Sequence, residues 1–445
     1  MLKFNPNYFA DVRIEEIEST QLHYINGTIE NFINRKRKGA FLRVYDGDKW
    51  YYSATTDLEN LQKELDKLYD IAHPNPKISE NPIVSKMPGG TVKQLKFEGN
   101  KTSDVASDEK VKKTTSVFPL FKSHDKIVMW QAYYIDKHVY KQIINSCGAD
   151  ISVDWQQAGL AYFMTMKNGE KLFMERLEGC ADNFNDLKIE ESEVKAFLEK
   201  SEYFLLNSKP LEPGKYQTIL SPLVAGVFAH ESFGHKSEAD FMLGDENMKK
   251  EWELGKKVGV EMLSIYDDGN IPGSGYVGFD DEGSPAEKTY LIKKGLLSGR
   301  LHSTETAVSL EEEQTGNARA INFEFEPIVR MTGTIIEHGN ITKEELFSKV
   351  KDGIYIEKIK HGSGMSTFTL APSFAYYIKD GKIAYPVEIS VVTGSVFETL
   401  GRIEALSDKT EIFSFSVGGC GKMEQYPLPV SFGGPYVLVS ELNAQ

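Results

Sequence analysis

Nowhere in the 445 residues is there a run of 18 apolar side chains, which removes the ordinary signature of a membrane-spanning helix. The first 20 residues, MLKFNPNYFADVRIEEIEST, have neither the basic opening nor the unbroken apolar stretch of a secretory signal. The expectation is a cytoplasmic chain without membrane contact. Cysteine is scarce: Cys147, Cys180 and Cys420 are odd in number and widely spaced, which excludes a disulfide framework and fits a reducing compartment. Positive charge is short as well. With 51 Lys and Arg against 65 Asp and Glu, the formal charge is -14, and the acidic residues are spread along the chain. The clustered Lys and Arg of a nucleic-acid binder are missing, so no direct nucleic-acid partner is expected. The basic run Arg35-Lys36-Arg37-Lys38 reads as a solvated loop or helix end.

What is present fits an ordinary soluble composition, 40% hydrophobic and 26% charged, in a chain long enough for two or three packed units. Residues 22–54 carry turn dipeptides at Asn26-Gly27 and Asp46-Gly47 between β-favouring residues, which predicts hairpins. Leu58, Leu61, Leu65 and Leu68 recur at three- and four-residue spacing and predict an amphipathic helix. Together these make a small α+β unit over 1–75. The stretch HPNPKISENPIVSKMPGG and the polar residues after it suggest a linker or exposed loop over 76–114. A second α+β segment, 115–210, has strand patterns turning at Asn168-Gly169 and ends in the helical ESEVKAFLEKSEYFLL. From 211 to 445, one strand runs into a helix, and Gly turns then separate short strands. The fold class is therefore α+β, an N-terminal α+β region followed by a mostly β C-terminal domain.

Within that domain, FAHESFGHKSEAD places His230, Glu231 and His235 in a pattern one residue longer than HExxH. Residues four apart on a regular α-helix lie about 40° from each other around the axis, whereas residues five apart lie about 140° apart. A straight helix cannot aim both imidazoles at one ion. A local π-turn would, and Gly234 is the residue that tolerates such a distortion, so the active-site helix is expected to be bulged. Two imidazoles suit zinc, which needs a further ligand; Cys420, flanked by Gly418, Gly419 and Gly421, could supply a thiolate. Glu231 would then take a proton from water. Read one residue at a time, the histidines serve equally as packing residues and Cys420 as core filler. Cys147 and Cys180 read as core, and His302, His338 and His361 as surface or packing residues.

Beyond this motif, the blocks DDGNIPGSGYVGFDDEGSPAEKTYLIKKGLLSG (267–299), TGNAR (315–319), RMTGT (330–334), residues 352–394 and CGKMEQYPLPVSFGGP (420–435) resemble the TldD/PmbA family, long labelled modulators of DNA gyrase and understood as zinc-dependent peptidases. The resemblance implies a TldD-like subunit, with His230, His235 and Cys420 at the metal positions and Glu231 at the base. It also implies an enclosed dimer, either a homodimer or a heterodimer with a PmbA-like paralogue, acting on unfolded or short peptides. The alternative is a non-catalytic partner subunit of such a complex. Lys236, Ser237, Ala239 and Gly333 depart from the family pattern and bear on substrate and partner more than on the metal.

Overall fold

In the computed structural model, which describes residues 2–445, long strands begin almost at once. β1 (Phe9–Ile25) and β2 (Thr28–Tyr45) turn at Asn26-Gly27, where both residues take the positive φ, 49° and 85°, that a two-residue hairpin requires. β3 (Trp50–Thr55) folds back along Ala40 to Tyr45. α1 (Leu61–Ile71) then lays its buried stripe of Leu61, Leu65 and Leu68 against Val12, Leu42 and Val44. After these come β4 (Gly90–Gln94), α2 (Ser107–Thr115), β5 (Ile127–Asn145), β6 (Ala149–Asn168), β7 (Lys171–Ala181) and α3 (Glu191–Asn207).

The boundary expected over 76–114 does not divide this region. β1 pairs with β5 across more than 100 residues of sequence, so all seven strands form one sheet, in the order β3-β2-β1-β5-β6-β4, with β7 on the far stretch of β6. The expected linker supplies β4, parallel to the start of β6, and α2, a helix of polar residues that buries Lys110 and Thr114. Lys110 is buried. Its Nζ lies 2.6 Å from Asp136 and donates to Thr20 Oγ1 at 2.7 Å, and Asp136 also accepts from the Tyr134 hydroxyl. A lysine is tolerated inside because every charge has a partner.

Two smaller expectations also change. Arg35 to Lys38 belong to β2, where that strand is a sheet edge, and Lys36 reaches Glu16 at 2.5 Å and Glu18 at 2.9 Å. Charged side chains on such an edge discourage pairing with other chains. Cys147 is exposed and Cys180 half-buried, so neither is core filler.

The second half is mostly β, as its Gly turns predict. β8 (Gly214–Leu220) lies between β9 (Asp352–Gly364), to which it is parallel, and the last strand of the chain, and β9 forms a hairpin with β10 (Thr367–Lys379). Further on, β11 (Cys420–Lys422) and β12 (Gln425–Leu428) make a two-stranded ribbon, and β13 (Ser431–Gly434) joins a separate six-stranded sheet.

Between these layers runs α4 (Pro222–Ala229). Pro222 at its first position and the Ser221 hydroxyl, which accepts from Val224 N, define its start. Its side chains are apolar nearly all round, as a helix enclosed by two layers demands. Val227 packs toward Gly362 of β9, and Gly226 rides on the backbone of Gly433 in β13. A Cβ at Gly226 would sit 2.5 Å from Gly433 N, and backbone cannot yield there as a flexible side chain could. Gly226→Ala should therefore destabilise the protein by about 1–3 kcal/mol, whereas Gly401→Ala, with open space around its Cβ, should be near neutral. Chemical denaturation of the two variants checks this; equal stability would contradict the packing assigned to α4.

Candidate metal centre

The helix changes its winding at the motif. Residues His230–Gly234 form a π-turn in which the His235 N–H donates to the His230 carbonyl five residues back, and a 3₁₀ turn, His235–Ser237, follows. The wide turn brings the two imidazoles to the same side, with ring centroids 5.2 Å apart and planes at 75°. Gly234 is needed for a reason other than backbone freedom: its φ of -57° is ordinary, but a Cβ would lie 1.9 Å from the Met331 sulfur. The glycine lets the turn settle onto Met331.

Cys420 arrives from the other end of the domain, 185 residues after His235. It begins β11 behind Gly418, with φ 99°, and Gly419, whose Cβ would meet the Leu428 carbonyl at 2.5 Å. Cys420 Sγ lies 3.5 Å from His235 Nε2, and one donor atom from each of His230, His235 and Cys420 falls within 4.8 Å of the others. Donors on a tetrahedral zinc with ordinary N and S bond lengths are separated by roughly 3.5 Å. His230 Nδ1 is buried and has no hydrogen-bond partner, which leaves a lone pair or proton without compensation unless a ligand takes it. The donor set and its spacing therefore fit a metal ion.

Electrostatics agree. Burial opposes ionisation of the Cys420 thiol, but the charges and hydrogen bonds of His230 and His235 outweigh it and hold the thiol well below its usual range. Burial likewise disfavours an imidazolium at His235, yet hydrogen bonds to Cys420 and Glu238 push it up to about 10. In the metal-free protein the thiol proton thus resides on imidazole.

Behind the donors stands a second layer of charge. Glu238 is fully buried, with Oε2 3.3 Å from His235 Nδ1 and 3.1 Å from Lys422 Nζ. Burial would raise this carboxyl, and its partners His235 and Lys422 hold it below the ordinary value. A carboxylate on the far nitrogen of a ligating imidazole fixes the ring and its tautomer. Lys422 also donates to both oxygens of Asp240 at 2.7 Å, and Arg330 donates to the Cys420 carbonyl at 2.9 Å. None of Glu238, Lys422 or Arg330 was singled out from sequence. The three-residue step from His235 to Glu238 was the available signal, and the other two are brought in only by the tertiary fold.

Glu231 follows His230 directly on the π-turn. It is half-buried beside Gly362 and Gly364 of β9, and among the described residues its carboxylate has no ion pair or hydrogen bond. His302 is a buried packing residue, with ring nitrogens on Thr306 and Glu312.

A model of the PmbA/TldA metallopeptidase C-terminal domain matches residues 213–445, the region just described. The chain belongs to the TldD/PmbA family. A model of domain 1 of the same metallopeptidases matches residues 10–72. A TldD/PmbA relative from Methanocaldococcus jannaschii, a metalloprotease by name, is 32% identical over 96% of this chain and 94% of its own length. Another, from Saccharolobus solfataricus, is named a zinc metalloprotease TldD homologue and is 26% identical over 98% of this chain and 96% of its own. A Thermotoga maritima crystal structure, of a candidate modulator of a DNA gyrase, superposes with a TM-score of 0.79 at 19% identity, covering 98% of this chain and 96% of that one, and so shares the TldD/PmbA fold.

The proton shift within the site has a measurable sign. His235, raised from 6.5 to about 10, contributes stability that is complete below pH 6.5 and is lost as pH rises toward 10. Cys420, lowered from 9.0, contributes stability that is complete above pH 9 and is lost as pH falls. Between about pH 6.5 and 9 these opposite slopes offset each other. In metal-free protein, the His235 resonances should hold their imidazolium shifts from pH 6 to 8, and Cys420→Ala should lower the midpoint; an ordinary titration near 6.5 in the wild type would contradict the pairing.

Proposed function

We propose that this chain is a zinc-dependent peptidase of HExxxH type. The reading rests on one observation above the rest: a π-turn and a glycine-led strand bring two imidazoles and one thiol within 4.8 Å. Zinc is the metal favoured by an N₂S donor set, and it is the metal in the name of the Saccharolobus solfataricus relative. His230, His235 and Cys420 would hold it, leaving a fourth position open. Bound there, zinc would polarise a scissile carbonyl and acidify water, less strongly than in a three-histidine site because the thiolate donates charge.

Glu231 is the general base. It follows the first ligand directly and no cation occupies its carboxylate, so it can take a proton from attacking water and deliver it to the leaving amine. Glu238, by contrast, is committed to His235 and Lys422 and acts as a positioning residue. The substrate class we assign is unfolded or short peptides, admitted to an enclosed dimer of this chain with itself or with a PmbA-like paralogue, in the cytoplasm. Enclosure would exclude folded proteins on size alone.

Glu231→Gln should keep zinc near one per chain while peptide hydrolysis falls by roughly 10²- to 10⁴-fold. Metal analysis beside a hydrolysis assay on an unstructured peptide decides it; undiminished turnover in the metal-replete variant would remove Glu231 from the mechanism.

A further inference from the structure

A cavity of about 60 Å³ lies between the first sheet and the second half of the chain, outside the donor cluster. β5 and β6 present Lys137, Lys141 and Trp155 to it, β1 presents Glu15, and loops of the second half close it with Asp281 and Arg319.

Its charges are unevenly matched. Glu15 pairs with Arg13 at 2.8 Å, and Asp281 pairs with Lys141 at 2.5 Å and accepts from Ala320 N at 2.7 Å. Asp154, also on the wall, accepts from the backbone N–H groups of Lys96 and Phe97. Each carboxylate at the cavity thus has a cation or a backbone N–H beside it, although among the described residues Glu15 Oε1 makes no hydrogen bond. The Lys137 and Trp155 donors have no such partner. Among the described residues Lys137 has no ion pair or hydrogen bond, and Trp155 Nε1 is buried with no partner. Arg319 spends its hydrogen bonds on the Met331 and Pro429 carbonyls and meets no carboxylate. Lys137 is half-buried, and a buried indole N–H without an acceptor is costly unless a ligand supplies one. Desolvation, with the neighbouring Lys141 and Arg37 charges, lowers Lys137 to about 8 against the opposing pull of Glu15 and Asp281.

We infer that this cavity binds a small carboxylate, held by the Lys137 ammonium and the Trp155 indole N–H. The volume accommodates a carboxylate and little more. Two sources share that chemistry: the C-terminus of a peptide, or a free small carboxylate. The first rests on the peptidase reading and is favoured by position, because the wall includes Leu428, which faces Cys420 across the β11–β12 ribbon. Paired strand residues are roughly 5 Å apart, so an extended chain with its terminus in the cavity would have its last few peptide bonds near the donor cluster.

Saturation-transfer NMR with acetate on the full-length, metal-loaded protein tests the site, with acetamide as the neutral control. Wild type should bind acetate and not acetamide. Lys137→Met should weaken acetate by roughly 10- to 100-fold, the worth of one charge-assisted hydrogen bond. Lys137→Arg should restore most of the affinity. Trp155→Phe, which keeps the ring and removes the N–H, should weaken acetate independently. No binding by wild type, or unchanged affinity in both Lys137→Met and Trp155→Phe, overturns the inference.

Matched peptides with free and amidated C-termini then separate the sources. A kcat/KM preference for the free acid that disappears in Lys137→Met assigns the site to substrate termini. Equal cleavage of both by wild type, with acetate binding intact, assigns it to a free carboxylate. Failure to cleave any peptide would count against the peptidase reading, while the acetate result would still decide the cavity.

Discussion

A single wide turn governs the chemistry of this molecule. His230 and His235 are five residues apart, so they share an ion only if the hydrogen bond between them spans i to i+5, as the bond from the His235 N–H to the His230 carbonyl does. A π-turn in an isolated helix would relax to ordinary winding. Here it is held from outside: α4 is enclosed between β9 and β13, Gly226 sits on Gly433, and Gly234 on Met331. Packing of the domain thus fixes the spacing that a shared ion would require.

The third donor makes the site a product of the whole second half. Cys420 is brought to His235 by a short ribbon, and buried charge anchors that ribbon through Arg330 on the Cys420 carbonyl and Lys422 between Glu238 and Asp240. Glu238 joins both sides, holding the His235 ring while answering the Lys422 ammonium. A buried pair of this kind adds little net stability, because desolvation offsets attraction, but removing one member leaves an uncompensated charge. Its contribution is orientation.

Local pattern made much of this legible. The hairpin at Asn26-Gly27, the leucine stripe of α1 and the need for a π-turn all follow from residue spacing and backbone chemistry, and the structure has each of them. What spacing could not supply was non-local. The pairing of β1 with β5 joins segments that read as separate units, and Lys110 looked like linker until Asp136 and Thr20 were beside it. Gly234 was the right residue for an incomplete reason, since the Met331 contact comes from a segment between strands almost 100 positions away. Glu238 lay in plain sight, three residues from His235, but its role depends on burial.

X-ray absorption at the zinc edge, on protein purified without chelators, tests the central claim most directly. Two nitrogen scatterers near 2.0 Å and one sulfur near 2.3 Å are expected, with the sulfur shell lost in Cys420→Ala. A wild-type spectrum with only nitrogen and oxygen neighbours, or purified protein without zinc, would contradict the convergence of His230, His235 and Cys420 on one ion.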